Sequence, residues 1–324
     1  VAACTANSRR HTPAIGIFCR ELNEGGDPFS NERYWQAYQD LLLALQTKGV
    51  DAYLVSDNNT YRGYGHFTEA FTTDTPGAIK DLQRVENITV DLVFDRGGFI
   101  GRDVLTINPP ILTKIASSKI EMYEYFASLQ PKTFIAKNKK QVEKVANKIP
   151  GDKLVVKEPE GSGGNEVYIG TKQKVLQQLP DHFPVLVQEF LDTSAGVPGQ
   201  VEGVHDARLG ICGGRIITYN IRRAQDGKLH ANVAQGGELI HFDVTEVSAE
   251  LREAATVIDG LFADQPRYYS LDFVHTAAGW KMVELNSYLG LRPAKEGREA
   301  RKTMDLLSTY LVTEANKQVR ASRI

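Results

Sequence analysis

The chain has 324 residues, 42% hydrophobic and 24% charged, with 38 Lys+Arg against 40 Asp+Glu and a formal net charge of −2. That balance argues against a polyanion-coating protein, whose domains are usually basic, and the three cysteines Cys4, Cys19 and Cys212 are too few and odd for a disulfide scaffold. No apolar run reaches the ~18–20 residues of a membrane span and the first residues carry no signal-peptide core, so a soluble, cytoplasmic protein of about two domains, with neither nucleic-acid nor membrane partners, is expected.

In chain order, Ala14–Cys19 (AIGIFC) reads as a buried strand. Trp35, Tyr38, Leu41, Leu42 and Leu45 fall at helical spacing, and Gly49 closes that helix. Strands follow at Asp51–Ser56 (DAYLVS) and, after a polar stretch, Val90–Asp95 (VDLVFD). Strands separated by a helical pattern predict a parallel sheet covered by helices. Thr106–Pro110 (TINPP) marks a boundary, because two prolines and an Asn interrupt the pattern. Ser118 and Glu121 then have capping-box spacing at the start of a helix running to Leu129. Two strands, KLVVK (Lys153–Lys157) and VYIG (Val167–Gly170), flank a glycine-rich loop. From Val185 the text is β-rich, and a helix over about Glu296–Lys317 ends the chain. Asn58-x-Thr60 and Asn87-x-Thr89 fit the glycosylation pattern and are read as chance.

The most informative stretch is Tyr269–Asn286. A three-residue loop at Ala277-Ala278-Gly279 pairs Thr276 with Trp280, so Val274 faces Met282 and Asp272 faces Glu284. Asn286 lies two residues on, hence on the same face. Facing carboxylates are unfavourable by roughly 0.2–1 kcal/mol. A cation would relieve them, and an all-oxygen donor set suits a hard ion such as Mg²⁺. The alternative is a solvated hairpin face, which the apolar neighbours Leu271, Phe273, Val283 and Leu285 make harder to sustain.

Gly161–Gly164 (GSGG) can bring several backbone N–H groups close to a ligand. It is neither a Walker loop nor a dinucleotide fingerprint, and a plain hairpin is the competing reading. Lys157 ends a strand beside that loop, within reach of phosphate oxygens. Lys119 opens a capped helix, where the dipole disfavours a cation by some ~0.3–1 kcal/mol unless an anion binds there. Gln188 and Glu189 interrupt the apolar strand Val185–Asp192. Asp206-Ala207-Arg208 opens one strand and Arg222-Arg223 ends its partner, an arrangement that can clamp an anion or form an ordinary basic edge. A two-residue turn at Gly213-Gly214 puts Arg223, not Arg222, on the face of Arg208. Cys212 reads as a small apolar filler and His275 as structural.

The order of these pieces resembles the ATP-grasp superfamily, most closely the branch with bacterial glutathione synthetase and the RimK-type glutamate ligases. The likeness covers about Thr106 to Asn286. It implies an α/β (α+β) ATP-grasp fold with an amino-terminal Rossmann-like domain: residues 1–110 for that domain, 111–187 for the small lobe with the glycine loop, and 188–324 for the large lobe with the metal site. It implies ATP and Mg²⁺ (or Mn²⁺) as cofactors. Lys119 and Lys157 then contact phosphates under a loop of Ser162, Gly163 and Gly164; Glu189 and Phe190 meet adenine and ribose; Asp206 and Asn232 complete the nucleotide site; and Asp272, Glu284 and Asn286 hold the metal. Arg208 and Arg222 stabilise a phosphorylated carboxylate, Arg222 being chosen over Arg223 by its ten-residue distance to Asn232. Arg96, after a strand end, is the candidate for substrate-carboxylate recognition, the alternative being a turn arginine.

The implied activity is that of an ATP-dependent carboxylate–amine ligase acting on a small carboxylate and an amino acid or peptide through an acyl phosphate. A small-molecule kinase on the same fold and a synapsin-type, non-catalytic nucleotide-binding protein are the alternatives. The family's members are often oligomers, so a homo-oligomer is compatible. Ser287-Tyr288-Leu289-Gly290-Leu291 departs from the proline–glycine arrangement of many relatives, which leaves the acceptor pocket unidentified.

Overall fold

The computed structural model describes residues 12–22, 29–161, 167–225, 228 and 236–321. They form two compact units, one from the described residues up to Ile107 together with those from Gly290 onward, the other from Asn108 to Leu289.

The first unit begins with β1 (Ala14–Cys19), α1 (Glu32–Thr47) and β2 (Asp51–Ser56). Asn31 caps α1 by accepting the Arg33 N–H at 2.9 Å, and Trp35, Tyr38, Leu41, Leu42 and Leu45 form its buried stripe. Gly49, at φ +80°, follows the helix end as expected. Next come β3 (Tyr61–Gly63), β4 (His66–Thr72), β5 (Gln83–Thr89), β6 (Leu92–Asp95) and β7 (Leu105–Ile107). β1 lies between β2 and β6, parallel to both, and β7 extends the parallel set. The wholly buried AIGIFC is what such a central strand requires. Where the sequence offered only a polar stretch, antiparallel strands β3, β4 and β5 widen this sheet beyond β2.

The second unit opens with α2 (Pro110–Ser117) and α3 (Lys119–Phe126), then β8 (Thr133–Ala136), α4 (Lys139–Ala146), β9 (Lys153–Lys157), β10 (Val167–Thr171), α5 (Lys172–Gln177) and β11 (Val185–Glu189). The four strands form one sheet in the order β10-β9-β11-β8. Leu154, Val156, Val185 and Val187 face Val142, Ala146 and Val175 of α4 and α5. By alternation Lys157, opposite Leu186, points from the other face.

The unit continues with β12 (His205–Cys212), β13 (Arg215–Arg223), β14 (Glu238–Phe242), α6 (Ala249–Gly260), β15 (Tyr268–Thr276) and β16 (Gly279–Asn286), an antiparallel sheet ordered β14-β13-β12-β15-β16. Its core face (Ala207, Leu209, Tyr219, Ile221, Tyr269, Leu271, Phe273, Met282, Leu285) packs on Leu112, Ile115, Met122, Phe126, Leu251, Ala255 and Ile258 of α2, α3 and α6. So α2 and α3, which sequence reasoning grouped with the small lobe, share their core with the five-stranded sheet. Alternation leaves the opposite face to polar residues. The chain ends in α7 (Arg298–Ala321), whose buried residues include Met304, Leu307 and Leu311. This helix belongs with the first unit, where Lys48 Nζ reaches Asp305 at 2.6 Å and the Ala294 N–H reaches Asp40 at 2.7 Å, whereas the expectation ran the third domain on to residue 324.

Candidate functional site

The polar face of the five-stranded sheet is set by register. Glu284 stands opposite Asp272, Asp272 opposite Arg208, and Arg208 opposite Asn220, giving one polar row across β16, β15, β12 and β13. His241 of β14 extends the row and shares a hydrogen bond with Asn220. Sequence reasoning named neither Asn220 nor His241, although counting back two from Arg222 finds the first.

Two β-bulges build this row. The Ala277-Ala278 turn is two residues long, pairing Thr276 with Gly279, where three were expected. A bulge between Asp272 and Phe273 then absorbs one residue of β16 and restores Asp272 opposite Glu284. The expected pairing is therefore met through two departures that cancel. On β12 and β13 the Gly213-Gly214 turn holds, with Cys212 opposite Arg215, but the register shifts between Gly210 and Ile211. The shift moves Arg222, not Arg223, opposite Asp206 and onto the face of Arg208. Arg223 pairs instead with exposed Glu238 at 2.6 Å.

Asp272, 1% exposed, is the centre of an ion-pair network. Arg208 donates to it twice, Nε to Oδ1 at 2.7 Å and Nη2 to Oδ2 at 2.6 Å, and Arg222 Nη2 adds a third bond to Oδ2 at 2.9 Å. Arg222 Nε donates to Asp206. Burial alone raises a carboxyl pKa, but the two guanidinia more than offset it and hold Asp272 below the usual range. Half-buried Asp206, opposite Arg222, is pushed up to about 6 by desolvation and then by the Asp272 charge, against the pull of the Arg222 and Arg208 guanidinia. Burial and Asp272 raise Glu284 as well, against weaker pulls from Asn286, Arg208 and Lys119.

This distribution tests whether a cation fits. A carboxylate offers about four acceptor positions. Asp272 has spent three on arginines, so one position on Oδ1 remains. Glu284 accepts only a 3.3 Å bond from Asn286 Nδ2 among the described hydrogen bonds, and its raised pKa marks an undercompensated charge. Glu284 and Asn286 with a single Asp272 oxygen are hard donors suited to Mg²⁺. Among the described residues no group of three His, Cys, Asp or Glu side chains is arranged to hold a metal, so the amide is needed.

Lys157 acts on this patch from the four-stranded sheet. Burial lowers its pKa to about 8, with Glu284 pulling it up and Lys119 pushing it further down. Lys119 Nζ donates to the Gly161 carbonyl at 2.9 Å and its N–H to the Pro159 carbonyl at 2.7 Å, tying α3 to the entrance of the glycine loop. That carbonyl partly answers the cation–dipole conflict at this helix start. Ser118 caps α3 by accepting the Glu121 N–H at 3.4 Å, while the Glu121 carboxylate goes to Lys114 at 2.9 Å. Ser162, Gly163, Gly164 and Asn232 lie outside the described residues.

At the end of β11, Glu189 accepts the Lys132 N–H through Oε1 at 2.8 Å and its own N–H reaches the Lys132 carbonyl at 3.0 Å. Lys153 sits 4.6 Å over the Phe190 ring, a partner that sequence reasoning missed. Arg96 belongs to the other unit, where Nε donates to the Tyr38 hydroxyl at 3.2 Å and the guanidinium lies 5.5 Å from the Phe94 ring centre. It follows Asp95, whose Oδ1 accepts the N–H groups of Gly97, Gly98 and Phe99 at 2.8–3.0 Å. A side chain at Gly97 would come within 2.3 Å of the Arg20 nitrogen, so this turn needs glycine. Cys212 is buried, and the His275 ring lies edge-on to Trp280 while the His275 backbone N–H donates to His205 Nε2 at 3.2 Å.

The family profile described as the RimK-like ATP-grasp domain matches residues 116–306, more than half of the chain. Curated relatives include a protein named "Probable alpha-L-glutamate ligase" from Psychromonas ingrahamii, 25% identical over 166 residues (50% of this chain, 51% of that protein). Another of that name, from Legionella pneumophila strain Corby, is 25% identical over 194 residues (57% and 60%). The chain thus spans half to three fifths of the length of these relatives. Among solved structures, the RimK domain ATP-grasp protein of Sphaerobacter thermophilus aligns with a TM-score of 0.59 at 13% identity, covering 92% of this chain and 99% of that one. D-alanyl-alanine synthetase A of Vibrio cholerae aligns with a TM-score of 0.62 at 11% identity, covering 95% and 98%. The structural likeness is one of fold, the mixed α/β ATP-grasp arrangement that the motif order implied, and with the profile match it establishes that this chain belongs to the RimK-like ATP-grasp family.

Proposed function

We propose that the protein is an ATP- and Mg²⁺-dependent ligase that joins a small carboxylate to the amine of an amino acid or peptide through an acyl phosphate. The observation that carries this reading is the convergence on Glu284: Asp272 and the arginine pair beside it, and Lys119 and Lys157 acting on it from other elements. The names of the curated relatives and the solved ligase structures agree with it.

In this reading Lys119 and Lys157 bind the nucleotide phosphates under the loop of Ser162, Gly163 and Gly164. Glu189 and Phe190 line the adenine and ribose, and Asp206 and Asn232 complete the pocket. Glu284, Asn286 and Asp272 would hold Mg²⁺, or Mn²⁺ in its place, and that ion would supply charge neutralisation for the phosphates. The substrate carboxylate attacks the γ-phosphate, ADP leaves, and the amine displaces phosphate from the acyl carbon. Charge accumulates on oxygens in both steps. In this reading Arg208 and Arg222, whose orientation Asp272 fixes, stabilise it without reorganising. Arg96 is assigned to recognition of a substrate carboxylate.

The test is a screen of paired carboxylates and amines with ADP release and product mass recorded. Release that requires both partners, with an amide product, is the expected result. A stable phosphorylated product formed with no amine present would instead identify a kinase.

Lys157 gives a second test. With its pKa near 8, about half of the free protein carries a neutral amine at that pH, whereas a bound phosphate favours the ammonium. ADP binding at pH 8.5 should therefore take up a proton, and affinity should weaken as pH rises beyond 8. Calorimetry in buffers of different ionisation enthalpy measures the uptake. Its persistence in Lys157→Met would remove Lys157 from the phosphate site.

A further inference from the structure

Asn108 is 4% exposed and makes three short hydrogen bonds, none to a side chain. Its Nδ2 donates to the Tyr268 carbonyl at 2.7 Å and to the Ser287 carbonyl at 2.6 Å, and its Oδ1 accepts the Tyr268 N–H at 2.6 Å. Tyr268 opens β15 and Ser287 is the residue immediately after Asn286, the last of β16. The ladder between those strands ends at Ser270 opposite Asn286. One step further on, the Tyr268 N–H and C=O would face residue 288 of a continuing β16. They meet the Asn108 amide instead. A side-chain amide has the same donor and acceptor as a peptide group, so it can stand in for a missing rung.

The mount is rigid. Asn108 precedes Pro109-Pro110, which restricts its backbone to extended conformations, and Pro109 sits at φ −69°, ψ 152° at the head of α2. Leu112 and Ile115 of that helix are fully buried in the unit's core. The chain therefore leaves the sheet just past Asn286 at a point held by the core.

We propose that Asn108 is a positioning residue for the oxygen donors Glu284 and Asn286: its amide replaces the next rung of the β15–β16 ladder and fixes the strand end that carries them. The proposal rests on the reading of those residues as the metal site. Its prediction is specific to the divalent ion. Partners that bond a metal ligand directly contribute about 10–100-fold to metal affinity. Asn108 acts one residue further out, through the Ser287 and Tyr268 backbone, so Asn108→Ala should lie at the low end and raise the Mn²⁺ concentration needed for half-saturation of the ADP-bound protein about tenfold. ADP binding in EDTA, which depends on the other elements, should stay within twofold.

The experiment titrates Mn²⁺ by its electron paramagnetic resonance signal in wild type, Asn108→Ala and Leu251→Ala. Leu251, fully buried in α6, serves as the control for a generally loosened core. A tenfold shift in Asn108→Ala alone supports the proposal. An unchanged Mn²⁺ curve in a folded Asn108→Ala protein overturns it, as does an equal shift in Leu251→Ala. If Asn108→Ala does not fold, Asn108→Ser carries the same comparison. Absence of ADP-dependent Mn²⁺ binding in wild type would overturn the metal-site reading itself, an outcome separable from the other two.

Discussion

A Glu284→Gln protein is expected to release ADP at least about 10²–10³-fold more slowly than wild type, the scale of losing one preorganised charge-stabilising group, without melting at a lower temperature. The two halves of that expectation have one cause. Glu284 faces the buried Asp272 carboxylate, and burial followed by that like charge raises its pKa. A carboxyl whose folded pKa exceeds its unfolded value weighs against the folded state at every pH where it is ionised, and the cost fades as pH falls through the folded value. Glutamine keeps the shape and the 3.3 Å contact with Asn286 while deleting the repulsion. Without divalent ion, thermal melting of the variant should match or exceed wild type at pH 7. With ADP and Mg²⁺ the order should reverse, because only wild type gains the binding free energy of the ion. Near-wild-type turnover in Glu284→Gln, or melting well below wild type without metal, would show that the carboxylate is structural.

The layout of the fold was readable where hydrophobic pattern decided it. AIGIFC, the Trp35–Leu45 stripe and the capped helix at Ser118 each carry a local signal, and each forms the expected element. Register was readable only by luck or by analogy. The bulges place one additional residue on β13 and one on β16, and ordinary strand residues there give no turn signal. A strict count therefore chose Arg223, and reached Asp272–Glu284 only because a miscounted turn offset an unseen bulge. Non-local pairing was beyond any count. Arg208 and Asp272 lie 64 residues apart, so sequence reasoning gave one to phosphate and the other to metal, whereas they bind each other. Asn108 was visible only as part of a proline-rich boundary, because its partners lie 160 and 179 residues away and are backbone atoms that no side-chain pattern reveals.

Arg208→Met is expected to destabilise the protein by about 3–5 kcal/mol, the range for removing one member of a buried ion pair, and to abolish the proposed ligation. Asp272 is effectively sealed from water, and the variant leaves its charge with Arg222 alone, which Asp206 also claims. The pH dependence follows from the sign of the Asp272 shift. Its folded pKa lies below the unfolded value, so the pairing contributes stability at neutral pH that is lost as pH falls through the folded value. The gap between wild type and Arg208→Met should therefore be widest at neutral pH and narrow in acid. Asp272→Asn alone should also destabilise, because it leaves Arg208 and Arg222 close together without the shared carboxylate. The double variant should recover much of the loss, since a buried pair replaced on both sides escapes the unpaired-charge penalty. Urea unfolding of the four proteins closes the cycle with stability as its readout, independent of activity. Costs that simply add, within about 0.5 kcal/mol, would mean the two groups do not depend on each other. Recovery of most of the loss in the double variant would mean that the buried pair adds little net stability, as expected if Asp272 serves the proposed role of holding the two guanidinia in orientation.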